Sequence, residues 1–353
     1  MAGKDASLLS LLGHNFDEML LSCTFRGMSC RNYTEWFWTT FWHYKYGNCF
    51  VFNSGEVDGV KVYPLKSNNP GPSQGLNLEI NIDQDNYNGR LTPEAGIRVD
   101  ISAQGEMPFP LERGVSLAPG YATMIGLRKI VKERKDPFNN KRCLDTVYRD
   151  ENNFYTRLFN VSYSSTACKE SCLAYNQLAK CGCIEYRFPA GQLYTDFICS
   201  VTDIAQVICI DEVQKLFKDN KLNCTKSCPP PCRMEEFKKS SSFAIWPSEK
   251  YEPFFEESIS KKNKKFQFTK SGSHRKNVLK LQVFFEDFDV DVITEQRSYE
   301  LVAFVSDIGG QLGLWIGFSV LTVAEFLELV MLLCHLAVKK CTTKRTSVRP
   351  FQE

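Results

Sequence analysis

One segment near the C-terminus constrains this chain more than any other. It begins at Ser306-Asp307-Ile308-Gly309-Gly310-Gln311-Leu312-Gly313-Leu314-Trp315-Ile316-Gly317-Phe318-Ser319. It then stays apolar to about Val338, interrupted by Glu325, Glu328 and His335. A helix needs about 20 mostly apolar residues to cross a bilayer, and this run is long enough. On a continuous helix turning roughly 100° per residue, Ser306, Gly310, Gly313, Gly317 and Glu328 fall within about 60° of one another. That makes a smooth face lined with backbone and ending at a carboxylate. Carboxylates inside a membrane are costly and mark an ion pathway or a paired partner. Small residues at i, i+4 spacing, such as Gly309, Gly313 and Gly317, also make a helix–helix packing seam. Both readings stand, and a bundle around a pore needs both.

The motif Gly309-Gly310-Gln311-Leu312-Gly313-Leu314, followed by Gly317-Phe318-Ser319, resembles the second transmembrane helix of the degenerin/epithelial sodium channel/acid-sensing ion channel family. Upstream stretches resemble that family's extracellular domain: Gly13-His14, Met19-Leu20-Leu21-Ser22-Cys23, Tyr46-Gly47-Asn48-Cys49 with Phe52-Asn53, and Glu94-Ala95-Gly96-Ile97. The resemblance covers nearly the whole chain. It implies an α+β membrane protein with a disulfide-rich extracellular domain (finger, thumb, palm and β-ball) over 1–298. One pore-lining transmembrane helix over 299–338 and a cytoplasmic tail over 339–353 follow. It further implies a homo- or heterotrimer of family subunits in the plasma membrane, blocked by amiloride-type compounds. Sodium is the permeant ion, and no cofactor or bound metal is expected.

Composition agrees with this topology. The net charge of +2 supplies no field for nucleic acid. Fifteen cysteines are many for a cytosolic chain, and all but two precede the apolar segment, which points to disulfides in an oxidising compartment. Three sequons, at Asn32, Asn160 and Asn223, fit the same compartment. The one at Asn223 is the least suited to glycosylation, because its middle residue is a cysteine. Lys339, Lys340, Lys344, Arg345 and Arg349 follow the span and favour the cytoplasmic side. Ser7 to Leu12 is too short for a signal-peptide core. The family carries a first transmembrane helix before its ectodomain, so the chain reads as a fragment, a truncated isoform or an incomplete gene model.

The cysteines divide into groups. Cys23 and Cys30 are close enough for a local loop. Cys168 and Cys172 match the spacing of Cys224 and Cys228, so two antiparallel helical faces could join 168 to 228 and 172 to 224. Sequence alone leaves the connectivity open. The family's laddered thumb, here about 136–235, implies those rungs with Cys181–Cys209 and Cys183–Cys199 nested inside and Cys143–Cys232 at the base. Cys49 is left over. In the family its counterpart pairs with a cysteine further toward the N-terminus. Zinc is the alternative for these sulfurs, but no His follows at ligand spacing.

Strand signals come from alternation: Leu76, Leu78, Ile80 and Ile82; Ile97, Val99 and Ile101; Leu279, Leu281, Val283 and Phe285. The aromatic cluster Trp36, Phe37, Trp38, Phe41 and Trp42 reads as a packed satellite core in preference to an exposed ligand patch. The basic stretch 261–276 reads as a solvated loop in preference to a latch onto headgroups or an acidic neighbour.

Ion passage needs a low-energy path through oil, and three parts of the chain are candidates. Glu286, Asp287, Asp289, Asp291, Glu295, Glu300 and Asp307 would concentrate cations at the mouth, with only a minority facing the axis. Gly317, Phe318 and Ser319 align with the family's Gly-Ala-Ser or Gly-Ser-Ser filter, where small residues hold ion-coordinating oxygens close. The bulky Phe318 departs from that pattern and puts sodium over potassium selectivity in question. Glu325 and Glu328 resemble the inner carboxylates. Ser306 matches the position where bulky side chains hold family channels open. For gating, acid-sensing members carry adjacent Asp and Glu where this chain has Ala103-Gln104-Gly105-Glu106-Met107-Pro108-Phe109, so only Glu106 remains. Phe138 stands where an aromatic couples thumb to pore. The competing class is a non-conducting single-pass modulator or binding ectodomain. No nucleophile elbow, phosphate loop or His-Glu-x-x-His supports an enzyme.

Overall fold

The computed structural model describes residues 11, 13–30, 38–57, 60–90, 92–135, 142–145, 153–188, 197–262, 274–317 and 319–345. The chain forms two units, Met1–Glu295 and Gln296–Glu353, so the division expected near 298 falls after Glu295.

The first unit holds the strands. In chain order they are β1 (Leu20–Phe25), β2 (Met28–Ser29), β3 (Trp38–His43), β4 (Gly47–Phe52), β5 (Glu56–Val57) and β6 (Val60–Lys61). Then come β7 (Leu76–Asn81), β8 (Ile97–Val99), β9 (Val115–Leu117), β10 (Tyr121–Glu133), β11 (Arg233–Ile245) and β12 (Val278–Thr294). A six-stranded sheet runs β11-β10-β12-β7-β1-β2, while β3–β4, β5–β6 and β8–β9 form separate two-stranded sheets.

Alternation explains the central sheet. Leu78 and Ile80 of β7, Ile125 and Leu127 of β10, and Leu279 and Leu281 of β12 bury together with Cys23 and Phe25 of β1. Each such side chain contributes roughly 1.5–3 kcal/mol on full burial. β8 is shorter than its alternation suggests: it stops at Val99, and Ile101 lies beyond it. Of the aromatic cluster, Trp36 and Phe37 lie outside the described residues. Trp38 packs its ring 4.8 Å from Phe16 and 4.9 Å from Phe52.

β10 and β12 pair in parallel from Ala122↔Lys280 to Leu127↔Phe285, then resume at Lys129↔Val290. The four residues 286–289 therefore bulge out opposite Arg128. Gly126 permits this, because a Cβ there would lie 2.4 Å from Glu286 Oε1.

Among its described residues this unit forms the helices α1 (Phe16–Met19), α2 (Pro110–Arg113), α3 (Phe154–Phe159), α4 (Ser165–Cys181), α5 (Ile204–Lys218), α6 (Cys224–Ser227) and α7 (Glu252–Lys262). α4 starts where Ser164 Oγ accepts from the Ala167 N–H and ends at Gly182 with φ +70°. Its apolar face meets α5 through Phe154, Leu173, Ala174, Ile184 and Val213. Disulfides join Cys168 to Cys228, Cys172 to Cys224, Cys181 to Cys209, Cys183 to Cys199, Cys143 to Cys232 and Cys23 to Cys30. The second face of the ladder is not a full helix. α6 is a single turn, with Cys228 at its C-cap. α7 sets Phe255 and Ile259 against Leu21, Val278 and Trp246.

The second unit contains α8 (Leu301–Ile316) and α9 (Val320–Arg345). The stretch 299–338 is thus broken into two helices, of which one, through Val320–Lys340, is long and apolar enough to span a membrane, as the sequence reading of one transmembrane helix expects.

Candidate pore segment and gating residues

The interruption has a local cause. Gly317 takes φ +67°, a left-handed conformation that glycine adopts without the Cβ penalty. Its N–H closes back onto Gly313 O. Ser319 then starts α9: its Oγ accepts from the Thr322 N–H at 3.3 Å, and its own N–H donates to Thr322 Oγ1 at 3.3 Å. This is the reciprocal logic of a capping box with a threonine in the third position. Both halves of the signal, a glycine stop and a Ser-x-x-Thr start, were present in the sequence but hidden inside a continuous apolar run.

The break changes the geometry of the smooth face. Ser306, Gly310 and Gly313 still share one face of α8. Glu325 and Glu328 sit three residues apart on α9. Counting 100° steps across Gly317 no longer places Glu328 on the α8 face, because a positive φ redirects the chain there. α9 carries a membrane-length stretch, Val320–Lys340, and α8 a shorter apolar one, Leu301–Trp315. Both are exposed along their described lengths, with Leu314 and Trp315 each 80% accessible. Phe318 lies outside the described residues.

At the start of α8, Tyr299 O–H donates to Asp307 Oδ2, and the Tyr299 ring meets Phe304 edge-on at 6.2 Å. The other acidic candidates divide. Arg128 Nε lies 2.7 Å from Glu286 and 3.7 Å from Asp287, and Arg134 lies 3.7 Å from Glu295. The Ser240 hydroxyl, then Arg128, hold the Glu286 carboxyl below the usual range. Asp289, Asp291 and Glu300 are exposed.

Glu106 sits in a charged pocket that its own sequence neighbourhood does not reveal. Arg113 of α2 lies 3.4 Å from Glu106 and 3.4 Å from Asp100, whose side chain is only 2% accessible. Lys239 of β11 approaches Asp100 at 3.8 Å. Burial pushes the Glu106 carboxyl up, and Arg113 opposes it. Asp100 could have been noticed as a lone carboxylate next to the apolar alternation of β8. Arg113 and Lys239 carry no such signal. Phe138 lies outside the described residues.

A second charged group joins the β3–β4 hairpin to α4. A cavity of about 80 Å³ is lined by His43, Tyr44, Glu112, Tyr155, Glu170 and Arg187. Arg187 pairs with Glu170 at 3.1 Å and with Glu185 at 3.1 Å. Burial pushes Glu170 up and His43 down to about 4.

Of the sequons, Asn160 caps the C-terminal end of α3 and is exposed. Asn223 is exposed too, but Cys224 beside it is bridged and Thr225 Oγ1 donates to Asn220 Oδ1 at 2.6 Å. Asn32 lies outside the described residues. Cys49, half-buried in β4, is a free thiol pushed up to about 12 by burial.

A family model described as "Amiloride-sensitive sodium channel" matches residues 3–329. The chain belongs to this channel family.

Relatives agree. The chain is 33% identical over 315 residues to epithelial sodium channel subunit alpha of Neoceratodus forsteri, covering 88% of this chain and 45% of that protein. It is 30% identical over 345 residues to the beta subunit of Oryctolagus cuniculus, covering 97% and 51%. It is 30% identical over 328 residues to the gamma-2 subunit of Xenopus laevis, covering 90% and 46%. The chain spans about half the length of these relatives. The amiloride-sensitive sodium channel family is one of ion channels and not of enzymes. Within it, the α+β disulfide-rich unit and the apolar C-terminal helix are the features of a membrane protein.

Proposed function

We propose that this chain is a pore-lining subunit of a trimeric, amiloride-sensitive, sodium-selective channel. In this reading its cysteine-rich unit lies outside the plasma membrane, its C-terminus lies in the cytoplasm, and its partners are further copies or other family subunits. One observation carries the reading: the backbone breaks at Gly317, in the middle of an apolar run. Irregular backbone at membrane depth is tolerated only where protein covers it or where it lines water. The last carbonyls of α8 have no intrahelical donor. They also lie at the negative end of the helix dipole, which favours a cation. Repeated around an axis, such oxygens replace part of an ion's hydration shell, and narrowness at Gly317 and Ser319 sets which ion fits. Sodium then moves down its gradient with no bond made or broken. Glu106, which shares Arg113 with Asp100, supports proton modulation of the outer unit.

The test is electrical. Cells expressing the chain with a family alpha, beta or gamma subunit are expected to pass an amiloride-blocked sodium current that the partner alone does not pass. Gly317→Ala is expected to shift its reversal potential. A current identical with and without this chain would contradict the reading.

A further inference from the structure

We propose that His335 lines the inner end of the conduit, and that His335 side chains from neighbouring copies of this chain converge there on a divalent metal ion of the zinc class, which stops the flow of sodium. The inference rests on the channel reading and adds a ligand to it. It starts from α9, where His335 interrupts the apolar run and takes no part in the ion path described above.

α9 runs unbroken from Val320 to Arg345. At roughly 100° per residue, Glu325 falls about 60° to one side of Glu328 and His335 about 20° to the other. All the ionisable side chains between 320 and 338 thus share one arc of about 80°. Beyond about 60° on either side of Glu328, the same stretch is apolar apart from Thr322 and Cys334. Such a division is expected of a span with one side in lipid and the other against water or protein. Among the described residues, Glu325, Glu328 and His335 have no hydrogen-bond or ion-pair partner, and all three are exposed. Nothing within one copy compensates them, so their partners are water, ions or a neighbouring copy.

Position sets the side of access. His335 lies seven residues past Glu328, about 10 Å along the helix. It stands five residues before Lys340, where the membrane-length stretch ends. Lys339 and Lys340 favour the cytoplasm at that end. The two carboxylates are therefore met first from outside, and the imidazole is met first from the cytosol.

Chemistry selects the ligand. Sodium passes by trading water for other oxygens, and an imidazole nitrogen adds nothing to that exchange. Zn²⁺ binds neutral imidazole at about 2.0–2.1 Å within a tetrahedron of ligands. Among the described residues no three metal-ligating side chains lie together in one copy. The site is incomplete without a second copy: two or three His335 side chains around an axis supply the nitrogens, and water fills the remaining positions. Glu328 and Glu325, deeper in, concentrate divalent cations near it. Lys339, one turn beyond on the same face, opposes them and limits affinity. Cys334 lies about 100° from His335 and off the arc.

Two measurements test this, and the first needs no current. The purified full chain in detergent is titrated with ZnCl₂ by calorimetry. Loss of an outer-shell partner alone weakens a metal site about tenfold or more, so loss of a ligand should do at least as much in His335→Leu. Leucine suits an apolar helix, so this variant keeps α9 intact. In the second measurement, Zn²⁺ is applied to the cytosolic face of patches that carry the sodium current. It should block the wild type and need about tenfold more metal in His335→Leu. Equal zinc binding by the wild type and His335→Leu would overturn the proposal whether or not current flows. Sodium current that ignores cytosolic Zn²⁺, or that is blocked equally in both proteins, would overturn it too. Absence of any current would count against the channel reading and leave the calorimetric result to decide the metal site.

Discussion

Glu106 shows how a single carboxyl can answer to pH without a matched acidic neighbour in sequence. Its pocket already holds Asp100, and Arg113 is shared between the two. Because burial raises its pKa, the folded state binds the proton more tightly than the unfolded state. The stabilisation is therefore full below the unfolded range near 4.5 and is lost as pH rises through the folded value. Glu106→Gln stays neutral throughout. Its melting temperature minus that of the wild type should become more positive from pH 4 to pH 7 in a thermal unfolding series. A difference that stayed flat would place Glu106 in water. Ser306 lies on the small-residue face of α8. Ser306→Phe is expected to raise resting current several-fold in whole-cell recordings of an assembled channel, and an unchanged current would count against a pore-facing α8.

Elements show what could be read from the chain and what could not. The alternating leucines and isoleucines of β7 and β12 place their strands because one buried face imposes a period of two. Ser164 and Gly182 mark the limits of α4 in the same local way. The stop at Gly317 was harder, because hydrophobicity across it is continuous and only backbone freedom and the Ser319–Thr322 cap betray it. Of the Asp100–Arg113–Glu106 group the sequence singled out Glu106 alone, since its members come from segments with no shared period. Two predictions belong at this scale. Gly317→Ala forces a side chain into a left-handed residue and should cost about 1 kcal/mol or more of helix-pair stability, read by chemical unfolding in detergent. Removing the α4–α6 rung with Cys172→Ser and Cys224→Ser together should cost about 2–4 kcal/mol in denaturant unfolding of the chain. No loss would mean that the bridge adds nothing to packing among Phe154, Leu173 and Val213.

For the molecule as a whole, one kind of surface is unaccounted for in the isolated chain. α8 and α9 expose their apolar side chains along their described lengths, which in water would be an aggregating surface. In the proposed channel, lipid would cover such a surface on the outside and neighbouring subunits would cover it on the inside. Glu325 and Glu328 then need an aqueous side, since a carboxylate facing lipid is costly. The most direct test installs single cysteines from position 306 to position 328 and assembles the chain with family subunits. Each position is then exposed to a charged, water-soluble thiol reagent. The account predicts fast reaction at 306, 310 and 313, at the 317–319 break, and at 325 or 328, with slow reaction between them. Uniform protection of all these positions would mean that the helices are buried dry against protein or lipid, and that no water-filled path runs past Gly317.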